Sequence, residues 1–261
     1  MKKLSLLLLF LSVSAYAQLT APAAQIVIPA AGSVAGLNGT FFRSDIAVFN
    51  YRDVPQNVAV QWLPQGISGQ SVQTRLITIA ARSGIISEDF VANILQQTGL
   101  GAIVFTAVTS EAAPDANGAL FITSRIWSPQ QNNPGGTVSQ SFPAVDATKI
   151  NSSNVAILGQ RISDQYRTNV GIVNLSTATQ TFEVLQNSYD PTFAPLVQTV
   201  TIPARSMQQV ALVNARVSAL QVRVRAISVM DPRQWLSYGS SVDNVTGDSW
   251  SSLGVATTLV P

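Results

Sequence analysis

Histidine and cysteine are both absent from these 261 residues, and that absence narrows the chemistry before any pattern is sought. Without imidazole, the commonest general base and metal ligand is missing; without thiol, there is neither a cysteine nucleophile nor a disulfide. Triad hydrolases, cysteine enzymes and ordinary zinc sites are excluded. Lysine is scarce too: beyond Lys2 and Lys3 there is only Lys149, with no Ser-x-x-Lys ahead of it, which removes a serine–lysine dyad. Charged residues make up 11% of the chain, against roughly 25% in ordinary domains. After Ala17 no apolar run approaches the roughly 18 to 20 residues that a membrane-spanning helix needs. We expect no enzyme, no bound cofactor and no integral membrane segment in the mature chain.

The N-terminus has the order of a secretory leader. Lys2 and Lys3 precede an apolar run from Leu4 to Val13, then Ser14-Ala15-Tyr16-Ala17 with small residues around Tyr16. We expect residues 1–17 to be a cleaved signal peptide and the chain to be exported to periplasm, cell surface or extracellular space. Cleavage after Ala17 removes two of the 15 basic residues, leaving 13 against 13 acids. No net charge then favours nucleic acid as a partner. With 21 Gln and 14 Asn, the surface is expected to be polar but barely charged.

The chain also repeats itself. Phe42-Arg43-Ser44-Asp45-Ile46-Ala47-Val48-Phe49-Asn50 recurs as Tyr166-Arg167-Thr168-Asn169-Val170-Gly171-Ile172-Val173-Asn174, and Ile77-Thr78-Ile79-Ala80-Ala81-Arg82-Ser83 as Val200-Thr201-Ile202-Pro203-Ala204-Arg205-Ser206. Thr106-Ala107-Val108 lies against Arg225-Ala226-Ile227. Ile46 and Val48, then Val58, Val60 and Trp62, alternate with smaller or polar residues, as half-buried strands do. Turn chemistry separates such runs at Asp53-Val54-Pro55, Pro64-Gln65-Gly66, Asp115 to Gly118, Asp190-Pro191 and Thr246-Gly247-Asp248. Ser87 to Leu95 dissents, with an N-cap residue, early acids and apolar residues at helical spacing, and predicts one short helix.

These patterns predict an all-β chain of two tandem antiparallel β-sandwich, immunoglobulin-like domains of about seven strands each, with a barrel as the alternative. Domain 1 would span residues 18–128, a breaker-rich linker residues 129–142 and domain 2 residues 143–261. The Phe42 to Asp45 start, Leu63-Pro64 after Trp62, the Tyr166 to Gly171 block and the Tyr238 to Asp248 ending resemble an uncharacterised family of exported tandem β-domain proteins from environmental, Acidobacteria-like bacteria. The resemblance implies export and paired β-domains and brings no catalytic or ligand residues.

Several constellations merit weighing. The repeated Arg43, Asp45 and Asn50 with Arg167, Asn169 and Asn174 could contact a ligand twice. Their recurrence at one place in both copies favours a fold-building role through local backbone bonds. Asp243, Asn244 and Asp248 surround a glycine and could hold calcium, although such strings usually make hairpin turns. Trp127 and Trp250 are the rings that could face a carbohydrate ligand. Paired carboxylates for glycoside hydrolysis are not evident, because most acids fall at turns. The function expected is an exported, non-catalytic structural or interaction protein of the envelope or extracellular space. It would bind a protein partner or itself, and could assemble as a filament or surface-layer subunit through strand edges. The apolar segments Leu19 to Ile28 and Val255 to Val260 are the strands expected to add to a neighbour. The alternative is a carbohydrate-binding module or accessory domain pair.

Overall fold

The computed structural model describes residues 21–36, 39–130, 133–152, 154–188, 192, 194–213, 220–228 and 231–257. Residues 1–17, where a leader was expected, Leu19, the Asp190-Pro191 turn and residues 258–260 lie outside them. The chain is all-β and forms three antiparallel sheets, one of them a curled half-barrel. The first nine strands are β1 (Gln25–Ala35), β2 (Phe41–Asn50), β3 (Gln56–Pro64), β4 (Arg75–Ile79), β5 (Gly84–Ser87), β6 (Gly99–Val108), β7 (Leu120–Gln130), β8 (Asn133–Ser141) and β9 (Val145–Asp146). The next nine are β10 (Asn154–Gln160), β11 (Tyr166–Asn174), β12 (Gln180–Ser188), β13 (Leu196–Ile202), β14 (Ser206–Ala211), β15 (Leu220–Ala226), β16 (Trp235–Asp243), β17 (Ser249–Leu253) and β18 (Val255–Ala256).

The second nine repeat the pairings of the first. One layer runs β4-β3-β6-β1-β9 in the first copy and β13-β12-β15-β10-β18 in the second. The other layer runs β5-β2-β7-β8 and then β14-β11-β16-β17. Among the described residues each copy therefore has nine strands where about seven were expected, one in each copy only two residues long. These pairings do not show the immunoglobulin-like arrangement expected of the two modules. Here β1 and β2 sit in opposite layers and pair only where Val34 and Ala35 meet Phe42 and Phe41. That join makes the first copy one nine-stranded curled sheet. The register of β1 shifts between Ile28 and Ala31, and such an irregularity bends a strand. β10 shifts likewise between Ile157 and Gln160 but ends there, so the second copy keeps two separate sheets.

Much of the expected linker is strand among the described residues. Pro129 and Gln130 end β7, and Ser139 to Ser141 pair along β7 in β8, because the polar, β-branched stretch can ladder against Arg125 to Trp127 at a sheet edge. The expected helix is α1 (Phe90–Asn93). Its cap is Asp89, whose carboxylate accepts from Ala92 N, while Ser87 ends β5. Gln25 to Ile28 do not add to a neighbour: they pair with β6 on one side and, at Ile26 and Val27, with β9 on the other. Val255 and Ala256 pair with β10.

Period-two alternation produces three apolar clusters. Ile46, Val48 and Ile122 face Val58, Trp62, Ile103 and Phe105 inside the first copy. Val170, Ile172 and Trp235 face Phe182, Val184 and Val224 inside the second. The third lies between copies: Val27, Leu63, Ala102 and Val104 on the back of the β3-β6-β1 layer meet Val173, Met207, Leu236 and Tyr238 on the back of the β14-β11-β16 layer. Around it, Ser249 and Ser251 donate to the carbonyls of Ser139 and Ser141 (3.1 and 2.6 Å). Gly66 N donates to Met207 O (3.0 Å). Gly69 comes so close to the second copy that a Cβ on it would lie 2.2 Å from Arg205 O.

Candidate interaction face

The repeated motif separates into parts with different surroundings. Asn50 and Asn174 are fully buried and close the same local structure twice. Asn50 Nδ2 donates to the carbonyls of Val54, Ile79 and Ala80 (2.8, 3.3 and 3.1 Å), and its Oδ1 accepts from Arg52 N (3.0 Å). Asn174 Nδ2 donates to Ala178, Ile202 and Pro203 (2.8, 3.2 and 2.9 Å), and its Oδ1 accepts from Ser176 N (3.0 Å). The turn they hold carries Arg82 and Arg205 at the same place, both with φ 49°. Arg82 there pairs with Asp53 in solvent, whereas Arg205 is half-buried and burial pushes its pKa down.

Ser44 and Thr168, the middle residues of the motif, are the buried ones. Ser44 Oγ accepts from Gly32 N at 2.6 Å and donates to Gly32 O at 3.1 Å, while Thr168 Oγ1 donates to Arg161 O. The residues on either side point the other way. Arg167 donates to Asn244 Oδ1 (2.5 Å), and Asn169 is half-buried.

In the first copy, the alternate residues of β2 and β7 form a row on the face away from the core. Cross-strand register places Arg43 beside Trp127, Asp45 beside Arg125, Ala47 beside Thr123 and Phe49 beside Phe121. Asp45 bonds both Arg125 (2.9 Å) and the Trp127 indole N–H (2.6 Å). The Arg43 and Arg125 guanidiniums stand 5.5 and 5.9 Å from the Trp127 ring centroid. Farther along, Tyr51 meets Phe49 and Phe121 edge to face, with centroids 4.8 and 6.2 Å apart. Ile86 of β5, beside Ala47, is 80% exposed, and Tyr51 and Phe41 are 42% and 37% exposed.

The equivalent face of the second copy is covered. Asn50 pairs with Leu120 and Asn174 with Trp235, so Phe49 and Phe121 correspond to Val173 and Leu236, and Ala47 and Thr123 to Gly171 and Tyr238. Val173, Leu236 and Tyr238 are buried against the first copy. Gly171 is needed there, since a Cβ on it would lie 2.0 Å from Tyr238 Cζ. Burial raises the Tyr238 pKa, and its hydroxyl accepts from Gln209 Nε2 (2.9 Å).

Trp250 does not join the aromatic row: its indole N–H donates to Gly159 O (3.0 Å) and its ring meets Tyr166 edge-on. Asp243, Asn244 and Asp248 form a hairpin turn. Asp243 Oδ1 accepts from Val245 N and Thr246 N (2.7 and 3.2 Å), and Oδ2 accepts from Gln165 (3.0 Å). The Val245 amide, with Gln165 and Thr246 N assisting, holds this carboxyl below its ordinary pKa. Asn244 is taken up by Arg167 and Asp164 O, and Asp248 Oδ1 accepts from Ser249 N. Among the described residues no three acidic side chains converge as metal ligands would. Sequence reasoning singled out Trp127 but missed Phe49, Tyr51, Ile86 and Phe121, whose alternation shows a strand but not which side of it another layer covers.

No family model matches the chain, and no curated protein matches it. A solved structure described as the crystal structure of Thermotoga maritima 1070 is similar over 41% of this chain and 96% of its own, at 11% identity and a TM-score of 0.34. A likeness of that level bears on neither fold nor function.

Proposed function

We propose that the chain is an exported, non-catalytic structural or interaction protein of the cell envelope or extracellular space. In this reading it is built from two tandem β-sandwich modules and acts by surface contact with protein. One observation carries it: the outer β2-β7 face of the first copy leaves Tyr51 and Ile86 exposed and Phe49 and Phe121 half-buried, while the same face of the second copy is buried by protein. A repeat that covers this face once is suited to having it covered again, and exposed apolar patches mark such sites. A carbohydrate platform has weaker support, because guanidiniums flank the Trp127 ring and Trp250 is engaged elsewhere.

The test is co-sedimentation of the purified chain with envelope material from its exporting host. Phe121→Glu, on the open face, is expected to lose binding at unchanged melting temperature. Full retention by this variant, or competition by a glycan that also quenches Trp127, overturns the reading.

A further inference from the structure

Sheet edges are the second kind of surface that invites a partner, because an edge strand presents unpaired backbone donors and acceptors. Most edges here are short or covered. β9 and β18 have two residues each, and β5 has four and leads into α1. β8 and β17 lie against each other through the serine bonds. β14 begins against Gln65 and Gly66 of the first copy. β4 has five residues and starts on Arg75, whose guanidinium is fastened to Leu95 O and Gln96.

β13 differs from all of these. Its seven residues, Leu-Val-Gln-Thr-Val-Thr-Ile, contain no charge and no proline. Among the described residues it pairs only with β12. Leu196 and Val197 are 38% and 54% exposed, and Thr199 and Thr201 are exposed too. Among the described residues, this strand carries no charge, proline or register shift to blunt its edge.

We propose that β13 is a self-pairing edge: two copies of the chain join β13 to β13 antiparallel about a twofold axis through Thr199, merging two five-stranded sheets into one. The strand read against its own reverse identifies the occupant. With Thr199 opposite itself, Leu196 meets Ile202, Val197 meets Thr201 and Gln198 meets Val200. Leu196 and Ile202 set apolar against apolar, β-branched Val197 and Thr201 face each other, Gln198 lies against Val200, and no like charges are opposed, which is what favours cross-strand pairs. A twofold contact needs such self-complementarity, and an arbitrary peptide does not. The pairing is separate from the β2-β7 face and does not depend on the reading of that face.

A chain without cysteine makes the test clean. In the full chain, Thr199→Cys is expected to form a disulfide-linked dimer under mild oxidation, much faster than Thr78→Cys on the β4 edge. Val197→Cys alone should cross-link no faster than that control, while Val197→Cys combined with Thr201→Cys should cross-link. By analytical ultracentrifugation, Thr199→Lys should weaken dimerisation on the order of tenfold or more without lowering the melting temperature. Equal cross-linking at positions 199 and 78, or an unchanged dimer in Thr199→Lys, overturns the pairing. If Phe121→Glu abolishes self-association and Thr199→Lys does not, the edge proposal falls and the face reading stands; the reverse result removes self-association from that face and leaves its envelope binding to be judged by co-sedimentation.

Discussion

Asn50 and Asn174 reach three carbonyls each, at corresponding positions of the two copies. One residue back along the same strands, Phe49 lies half-buried on the outer face of the first copy and Val173 is fully buried in the interface between copies. The pair of copies thus acts as an internal control. What stays the same holds the fold of either copy; what changes marks which layer lies against water. The amide network is kept because a buried turn with unsatisfied carbonyls is expensive wherever it occurs. The faces diverge because only one of them meets another layer.

The strongest way to break the comparison is to remove the shared part. Asn50→Ala and Asn174→Ala should each cost about 3 kcal/mol or more, since each strips several buried backbone groups of partners. Denaturant unfolding of the two variants should give similar losses. A loss in one copy only would show that the network builds one half and decorates the other.

The divergent faces give the next largest effect. Leu236→Ala should cost about 2 to 4 kcal/mol, as buried leucine truncations do, because Leu236 lies in the cluster between copies. Phe121→Ala, at the equivalent position on the open face, should cost about 1 kcal/mol or less. Thermal unfolding of both would sharpen the contrast, and equal losses would mean that the first copy's face is packed in solution.

The smallest effect is in acid. Asp53 is lowered by Arg82, and Asp115 mainly by the Asn117 amide with Arg52 assisting. In the second copy Asp231 is lowered by Arg233, and Asp243 mainly by the Val245 amide. A folded-state pKa below the unfolded value means that the stability contributed is complete above about pH 4 and is lost as pH falls through the folded value. With no histidine in the chain, stability should be flat between about pH 5 and 8. Melting temperatures across pH 2 to 8 check this, and a transition near pH 6 would contradict it.

Much of this was legible beforehand because it is local. Period-two alternation marks a strand wherever it falls, so Ile46, Val48, Val58 and Trp62 announced half-buried sheet, and the paired motifs announced two copies. Asp89 at the start of α1 and the turn at Asp243 follow from the same short-range chemistry. The breaker-rich composition of Ser128 to Gly136 did not reveal that Ser128 to Gln130 end β7 and that Asn133 and Thr137 to Ser141 pair with it in β8, because strand pairing depends on a distant neighbour.

The sequence by itself determined the strands, their alternation, the repeat and the absence of histidine and thiol chemistry, since each depends on residue identity or on neighbours a few positions away. The tertiary structure alone decided that β1 is interior rather than a free edge, that Val173, Leu236 and Tyr238 are buried while Phe49 and Phe121 are only half-buried, and that β13 pairs on one side alone among the described residues. Alternation specifies two faces for every strand, but which face meets protein and which meets water is fixed only when distant layers dock.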